Sequence, residues 1–285
     1  MRHVHMMPPV WSQIVLLLSI IALGVHLAGA LPETYTLRFS DVPPTATFIS
    51  SPERAAPQAP ANAWLDQQGW KQVWPVALFG TQQRLFFAGS PAQRYLRVYA
   101  DKTYYILAHQ LELDPQSLPW LSITWGVERF PTGAALDLSG RNDRPIVIMV
   151  SFGERVGASG LLPSVPRALA FFWGETEQVG TAYTCITPRN GPPDARLQCR
   201  YPHVKYIALR QGEAGSVHTD QVNLLKHFQE QFPDYWQAHH RVPQVVAVSI
   251  EASSKRTQSI SSARLYSLSF NTVAQAAEPT ITSGR

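Results

Sequence analysis

The chain has 285 residues, enough for one large β domain or two small ones, and carries 24 Lys and Arg against 20 Asp and Glu. That excess of +4 is scattered, with no basic run and no helix lined by cations, which argues against nucleic-acid binding. A charged fraction of only 15% together with 23 prolines fits an exported β protein rich in turns.

Met1 to Ala30 reads as a secretory signal peptide. Arg2 supplies the positive start, Ile14 to Leu27 the apolar stretch, and Ala28-Gly29-Ala30 a small-x-small cleavage site. The expected location is therefore periplasmic or secreted. Val10 to Ala30 is also about long enough to span a bilayer, so membrane attachment is expected only if this segment stays uncleaved. No cysteine lies near the cleavage point to carry a lipid.

Residues 31–63 are expected to hold one strand and a loop. Tyr35, Leu37 and Phe39 alternate with polar neighbours, whereas Pro43 to Ala61 is rich in Pro, Ala and Ser and has no period. Residues 64–271 read as the main body. Short apolar runs follow one another at Gln83 to Ala88, Tyr95 to Ala100 and Tyr104 to Leu113. Leu121, Ile123, Trp125 and Val127 alternate strictly with polar or small residues, the cleanest strand in the chain. Pro145 to Phe152 is apolar on both faces, as a central strand would be. Arg167 to Trp173, Val204 to Leu209, Val245 to Ile250 and Arg264 to Phe270 complete about nine or ten strands, a count typical of a β-sandwich.

One peripheral helix stands out, with Thr219 as its cap, Asp220 in its first turn, Val222, Leu225 and Phe228 at helical spacing, and Pro233 ending it. Residues 272–285 read as a loose tail. Cys185 and Cys199 form an even pair across a Pro/Gly-rich loop, so in an oxidising compartment a disulfide is expected. Such a bond contributes roughly 3 kcal/mol in the chain-entropy model.

Nothing matches a strong catalytic signature. Gly157-Ala158-Ser159-Gly160 is one residue short of Gly-x-Ser-x-Gly, and there is no phosphate loop, His-Glu-x-x-His or dinucleotide fingerprint. The adjacent His239 and His240 read as exposed loop residues that share no metal. Asp137, Asn142 and Asp143 make an oxygen-rich loop around Gly140 that, with Glu251, could offer calcium part of the six to eight oxygens it takes. The plainer reading is a turn bonded to its own backbone. Asp143, Glu175 and Glu251 are the acids a glycosidase would draw on, a chemistry that needs two of them across a cleft. Among the aromatics Tyr104, Tyr105, Trp173, Tyr183 and Trp236, a core position is the usual one, and Trp173 is the best candidate for a rim because Gly174-Glu175 follows it.

Several segments, in this order, resemble a known family: Leu96 to Asp101, Leu113-Asp114 leading to Pro119 to Trp125, Asn142-Asp143 before a strand ending at Phe152, and Ala168 to Gly174. A helix ending at Phe232 and a last strand at Phe270 complete the pattern. From Trp64 to Phe270 the chain is similar to the bacterial domain of unknown function 3047. The resemblance implies a jelly-roll sandwich like those of carbohydrate-binding modules, with no assigned activity. Three departures stand out. Ile123 replaces the first Trp of a Trp-x-Trp, Asn142-Asp143 stands for paired aspartates with Val147 where an arginine is expected, and Glu251-Ala252-Ser253 replaces an Asp-x-Asp.

The expectation is an exported β-sandwich that binds a cell-envelope or extracellular glycan, with Asn142, Asp143 and Glu251 bonding hydroxyls and Trp173 stacking on a ring. Two other classes are a structural or assembly protein of the periplasm, and a polysaccharide-acting enzyme on the same fold; binding is favoured over catalysis.

Overall fold

The computed structural model describes residues 34–39, 59–73, 84–90, 93–156, 165–184 and 201–275. The expected signal segment, most of the Pro/Ala-rich loop, residues 157–160, Cys185, Cys199 and residues 276–285 lie outside the described residues. In chain order the elements are β1 (Thr34–Arg38), α1 (Ala59–Gln67), β2 (Trp70–Gln72), β3 (Arg84–Ser90), β4 (Gln93–Asp101), β5 (Tyr104–Leu113) and β6 (Trp120–Arg129). They continue with β7 (Arg144–Val156), β8 (Val165–Gly174), β9 (Ala182–Thr184), β10 (Val204–Gln211), β11 (His218–Asn223), α2 (Leu224–Gln231), α3 (Pro233–His239), β12 (Val245–Ser253) and β13 (Ile260–Asn271).

The strands form two sheets. The six-stranded sheet runs β11-β6-β13-β4-β3, with β1 also on β13. β13 pairs β6 along one edge, while its other edge is shared by β4 against Ile260–Leu265 and β1 against Ser267–Asn271. The seven-stranded sheet runs β2-β5-β12-β7-β8-β10-β9 and is antiparallel except for the β8–β10 pair. The chain passes back and forth between the sheets, so spatial neighbours are mostly distant in sequence. This is the β-sandwich that the run of short strands predicted, with the jelly-roll-like form that the family resemblance implied.

Alternation built the core. Leu121, Ile123, Trp125 and Val127 all face inward at 1% exposure or less. Leu96, Val98 and Ala100 do the same on β4, and Val248, Ile250 and Ala252 on β12. β7 is buried over most of its length because it lies between β12 and β8, and on its outer face Val147 joins a cluster with Leu136, Ala170 and Phe172. Gly126 is forced by close approach, since a Cβ there would meet the Ser216 carbonyl at 2.4 Å.

The helices differ from expectation. Residues 218–223 extend as β11 on the edge of β6, so Thr219 does not cap a helix. The helix starts at Leu224, capped by Asn223, whose side chain accepts from the Lys226 N–H at 2.9 Å. Edge pairing outweighed the helical spacing of Val222. Pro233 ends one helix but opens α3, a position that suits it because the first turn needs no N–H from it. His239 closes α3 and His240 adopts a left-handed backbone after it, and both side chains are exposed. α1 begins at Ala59, inside the stretch expected to be loop, and brings Trp64 and Leu65 onto the core. Among the described residues no helix is long and apolar enough to cross a membrane.

Candidate functional site

The outer face of the seven-stranded sheet holds an open cleft of about 1600 Å³. Its lining comes from β2, β5, β7, β8, β10 and β12, so it crosses nearly the whole sheet. Strand register gives the floor: Ala108, Ser249, Met149, Ala170 and Tyr206 follow one another across five strands. Ala108, Ser249, Met149 and Tyr206 of this row line the cleft.

The next row holds the charged centre. Val248, Ile250 and Ala252 face the core, so Ser249, Glu251 and Ser253 face outward. Glu251 is 0% exposed and pairs with Arg144, itself 4% exposed. The Tyr206 hydroxyl donates to Glu251 Oε2 at 3.1 Å, Arg144 Nη1 donates to the Asn142 carbonyl at 2.6 Å, and the guanidinium carbon lies 4.8 Å from the Tyr206 ring centre. A carboxylate so deeply buried costs several kcal/mol in lost hydration, and the cation with its hydrogen bonds offsets that cost.

A bulge makes this pair possible. Glu251 stands opposite Val147, and Ser253 opposite Arg144, so β7 spends three residues where β12 spends two. The extra residue inverts the alternation, and Arg144 and Val147 come to share the outer face although they are an odd number apart. Val147 occupies the position where a family arginine was expected; the guanidinium arrives from Arg144 instead.

Asp143, 2% exposed, has a different task. The Ser253 hydroxyl donates to its Oδ1, and the Thr257 N–H and hydroxyl donate to Oδ2 at 2.6 and 2.9 Å. These bonds tie the start of β7 to the turn between β12 and β13. Asn142 is buried beside it at 6% exposure and lines the cleft. Thus three of the four residues expected to bind ligand, Asn142, Asp143 and Glu251, lie near one end of the cleft, where Asn142 is in the lining and the two acids are buried behind it. The carboxylates of Asp143 and Glu251 bind neighbouring protein groups.

Trp173 is placed elsewhere, which corrects the rim position expected for it. It is 0% exposed in the core between the sheets, 5.9 Å from the Trp125 ring, and its indole N–H donates to the Gly212 carbonyl at 2.6 Å. The apolar run that it ends continues one residue further inward than the Gly-Glu boundary implied. Nearby, Arg210 of β10 pairs with Asp220 of β11 at 2.9 Å, and the Trp125 indole donates to the same carboxylate at 2.7 Å. This joins the two sheets at one edge and explains the polar residues there.

The aromatic groups that do line the cleft are Tyr104, Tyr201 and Tyr206. Burial pushes the Tyr104 phenol well above its ordinary range, reinforced by Tyr206 and partly opposed by Arg144. Burial raises Tyr206 too, again against the pull of Arg144. Both therefore remain protonated hydrogen-bond donors at neutral pH. Sequence reasoning missed Arg144, Tyr201 and Tyr206; a lone acid amid the apolar run of β12 was the available signal that a buried cation had to be near. Among the described residues no group of three His, Cys, Asp or Glu side chains is placed to hold a metal ion, and Asp137 is exposed while Asp143 and Glu251 are engaged.

The family model described as "Protein of unknown function (DUF3047)" matches residues 73–268, which contain the sandwich from β3 to most of β13. The chain belongs to the DUF3047 family. The xyloglucanase domain of NopAA, a type three effector from Sinorhizobium fredii, solved in complex with cellobiose, is similar at 11% identity and TM-score 0.32 over 74% of this chain and 93% of that one. Trichoderma harzianum endoglucanase 3 from family GH12 is similar at 10% identity and TM-score 0.35, over 84% of this chain and 97% of that one. The family 11 xylanase from Neocallimastix patriciarum gives 8% identity and TM-score 0.26, over 76% and 96%. No curated protein matches the chain.

Proposed function

We propose that this DUF3047 member is an exported protein, periplasmic or secreted, that binds a cell-envelope or extracellular glycan in the cleft on the outer face of its seven-stranded sheet. The shape of that cleft carries the reading. At about 1600 Å³ and open along its length, it exceeds the roughly 300–1,000 Å³ of ordinary small-molecule pockets and suits an extended ligand. Tyr104 and Tyr201 offer ring faces and hydroxyls, Tyr206 lies beside them with its hydroxyl on Glu251, and Ser151 and Ser249 add hydroxyls between them. That mixture of flat apolar surface and hydrogen-bonding groups is what a sugar chain presents in return. The export reading brings with it a Cys185–Cys199 disulfide.

Catalysis by Asp143 and Glu251 has less support. Both oxygens of Glu251 are engaged, by Arg144 and Tyr206, and both oxygens of Asp143, by Ser253 and Thr257. A pair working across a sugar bond needs one acid free to give its proton and one free to attack or activate water. A partner-binding scaffold also has less support, because among the described residues Val179 and Val273 are the large hydrophobics that stand exposed.

The test is a thermal-shift panel of soluble envelope and extracellular polysaccharides on the purified protein, beside Met149→Trp, which fills the floor of the cleft with an indole. A ligand at a hundred times its Kd adds about 2.7 kcal/mol, which raises Tm by roughly 5–10 °C for a chain of this size. A shift with one class of glycan that vanishes in Met149→Trp is the expected result. A flat panel, or a shift that the tryptophan leaves intact, would overturn the assignment.

A further inference from the structure

One end of the cleft has many donors and few acceptors left to face them. We infer that this end is a subsite for an acidic sugar, a residue bearing a carboxylate or sulfate, so that the glycan bound is anionic; this rests on the glycan reading above. The donors are Tyr104, Tyr201, Arg144, Lys255 and Arg256, all lining the cleft. Lys255 and Arg256 are exposed on the turn between β12 and β13, and no carboxylate among the described residues pairs with either. Arg144 keeps its Nε buried without a hydrogen-bond partner, although its other nitrogens are used.

Glu112 and Glu154 line the other end of the cleft, and the acids nearest these groups are already spent inside the protein. Glu251 is taken by Arg144 and Tyr206, and Asp143 by Ser253 and Thr257. Asp143 has a second consequence. By accepting from residues on either side of Lys255 and Arg256, it holds the turn that carries both cations over the end of the cleft. A neutral sugar would leave that charge unanswered. An anionic group gains Coulomb attraction in a site partly screened from water, and it supplies acceptor oxygens for the Tyr104 and Tyr201 phenols and the Arg144 Nε.

The experiment is calorimetric titration of the purified protein with three hexasaccharides: oligogalacturonate for carboxylate, a carrageenan fragment for sulfate, and cellohexaose as the neutral member. Each is run at low and high salt, on the parent and on Lys255→Ala/Arg256→Ala. Both substitutions are on an exposed turn, and a melting curve beside each titration confirms the fold. The expected result is that one acidic hexasaccharide binds at least about tenfold more tightly than the neutral one, with the advantage shrinking in salt and lost in the double variant. Which acid binds distinguishes carboxylate from sulfate. Equal binding of cellohexaose, unchanged by the double variant, would overturn the acidic subsite and leave glycan binding standing. Heat from none of the three, on protein that melts normally and also gives a flat polysaccharide panel, would overturn both.

Discussion

Each sheet carries an arginine–carboxylate network on its outer face, and the two are built to different depths. On the seven-stranded sheet Glu251 and Arg144 are 0% and 4% exposed. On the six-stranded sheet Glu128 gathers Arg97 at 2.9 Å and Arg264 at 2.8 Å, with side chains 11–22% exposed, and Ser262 donates to it at 2.6 Å. One network has a single cation per carboxylate and is sealed from water; the other has two cations per carboxylate and is partly exposed. Water reaches the second and screens it. The first must satisfy itself. The same chemical pair is therefore a structural obligation on one sheet and a modest decoration on the other.

The largest expected effect breaks the deeper network. Glu251→Ala leaves the Arg144 guanidinium buried without its anion and should cost about 3–5 kcal/mol, read as a fall in the urea midpoint. Replacing both residues by apolar ones, Arg144→Met with Glu251→Leu, should recover most of that loss; a double variant as unstable as the single would show that the ion pair itself, and not the stranded charge, is what the fold needs.

A smaller effect sharpens the contrast on the other sheet. Glu128→Gln should cost about 1 kcal/mol, because Arg97 and Arg264 can turn to solvent once their partner is neutral. Burial pushes the Glu128 carboxyl up, but the Ser262 hydroxyl, the charge of Arg97 and the hydrogen bond from Arg264 outweigh it and leave the group below its ordinary range. Its contribution is therefore present above the ordinary carboxylate range and is lost as pH falls through the lower folded value. The Gln variant should show a flatter stability profile on the acid side than the parent.

The smallest effect is a histidine one. Burial lowers His109, His203 and His227 from the ordinary 6.5, so each takes up its proton more readily when unfolded. Stability is whole above about 6.5 and declines as pH falls towards the lowered values. His227 stacks edge-on against Phe171 at 5.6 Å, and His227→Gln should remove part of the slope between neutral pH and pH 5.5. An unchanged slope would move the effect to the other two.

Much of the fold was legible along the chain. Inward alternation at Leu121 to Val127, the doubly apolar Pro145 to Phe152 and the short regular runs around them led to a sandwich, because each strand carries its burial pattern in its own residues. The candidate site was legible only in part. Asn142, Asp143 and Glu251 were picked out as oxygen-bearing groups, and they do meet. Their partners were invisible: Arg144 joins Glu251 across 107 positions, Tyr206 reaches it across 45, and Thr257 reaches Asp143 across 114. Trp173 was misplaced because a strand-ending aromatic looks the same whether it meets solvent or, as here, Trp125 and His218 of the other sheet.

The sequence by itself determined most of the strands, which face of each is apolar, and the family. Local alternation decides those, and the family's residues recur in order along the chain. Only the tertiary structure decided which acids are spent and which cations are left to face the cleft. That outcome depends on strand order and on one bulge, where a single extra residue in β7 turns Arg144 towards Glu251. No local pattern records it, because the parity of one strand acquires meaning only against the strand beside it.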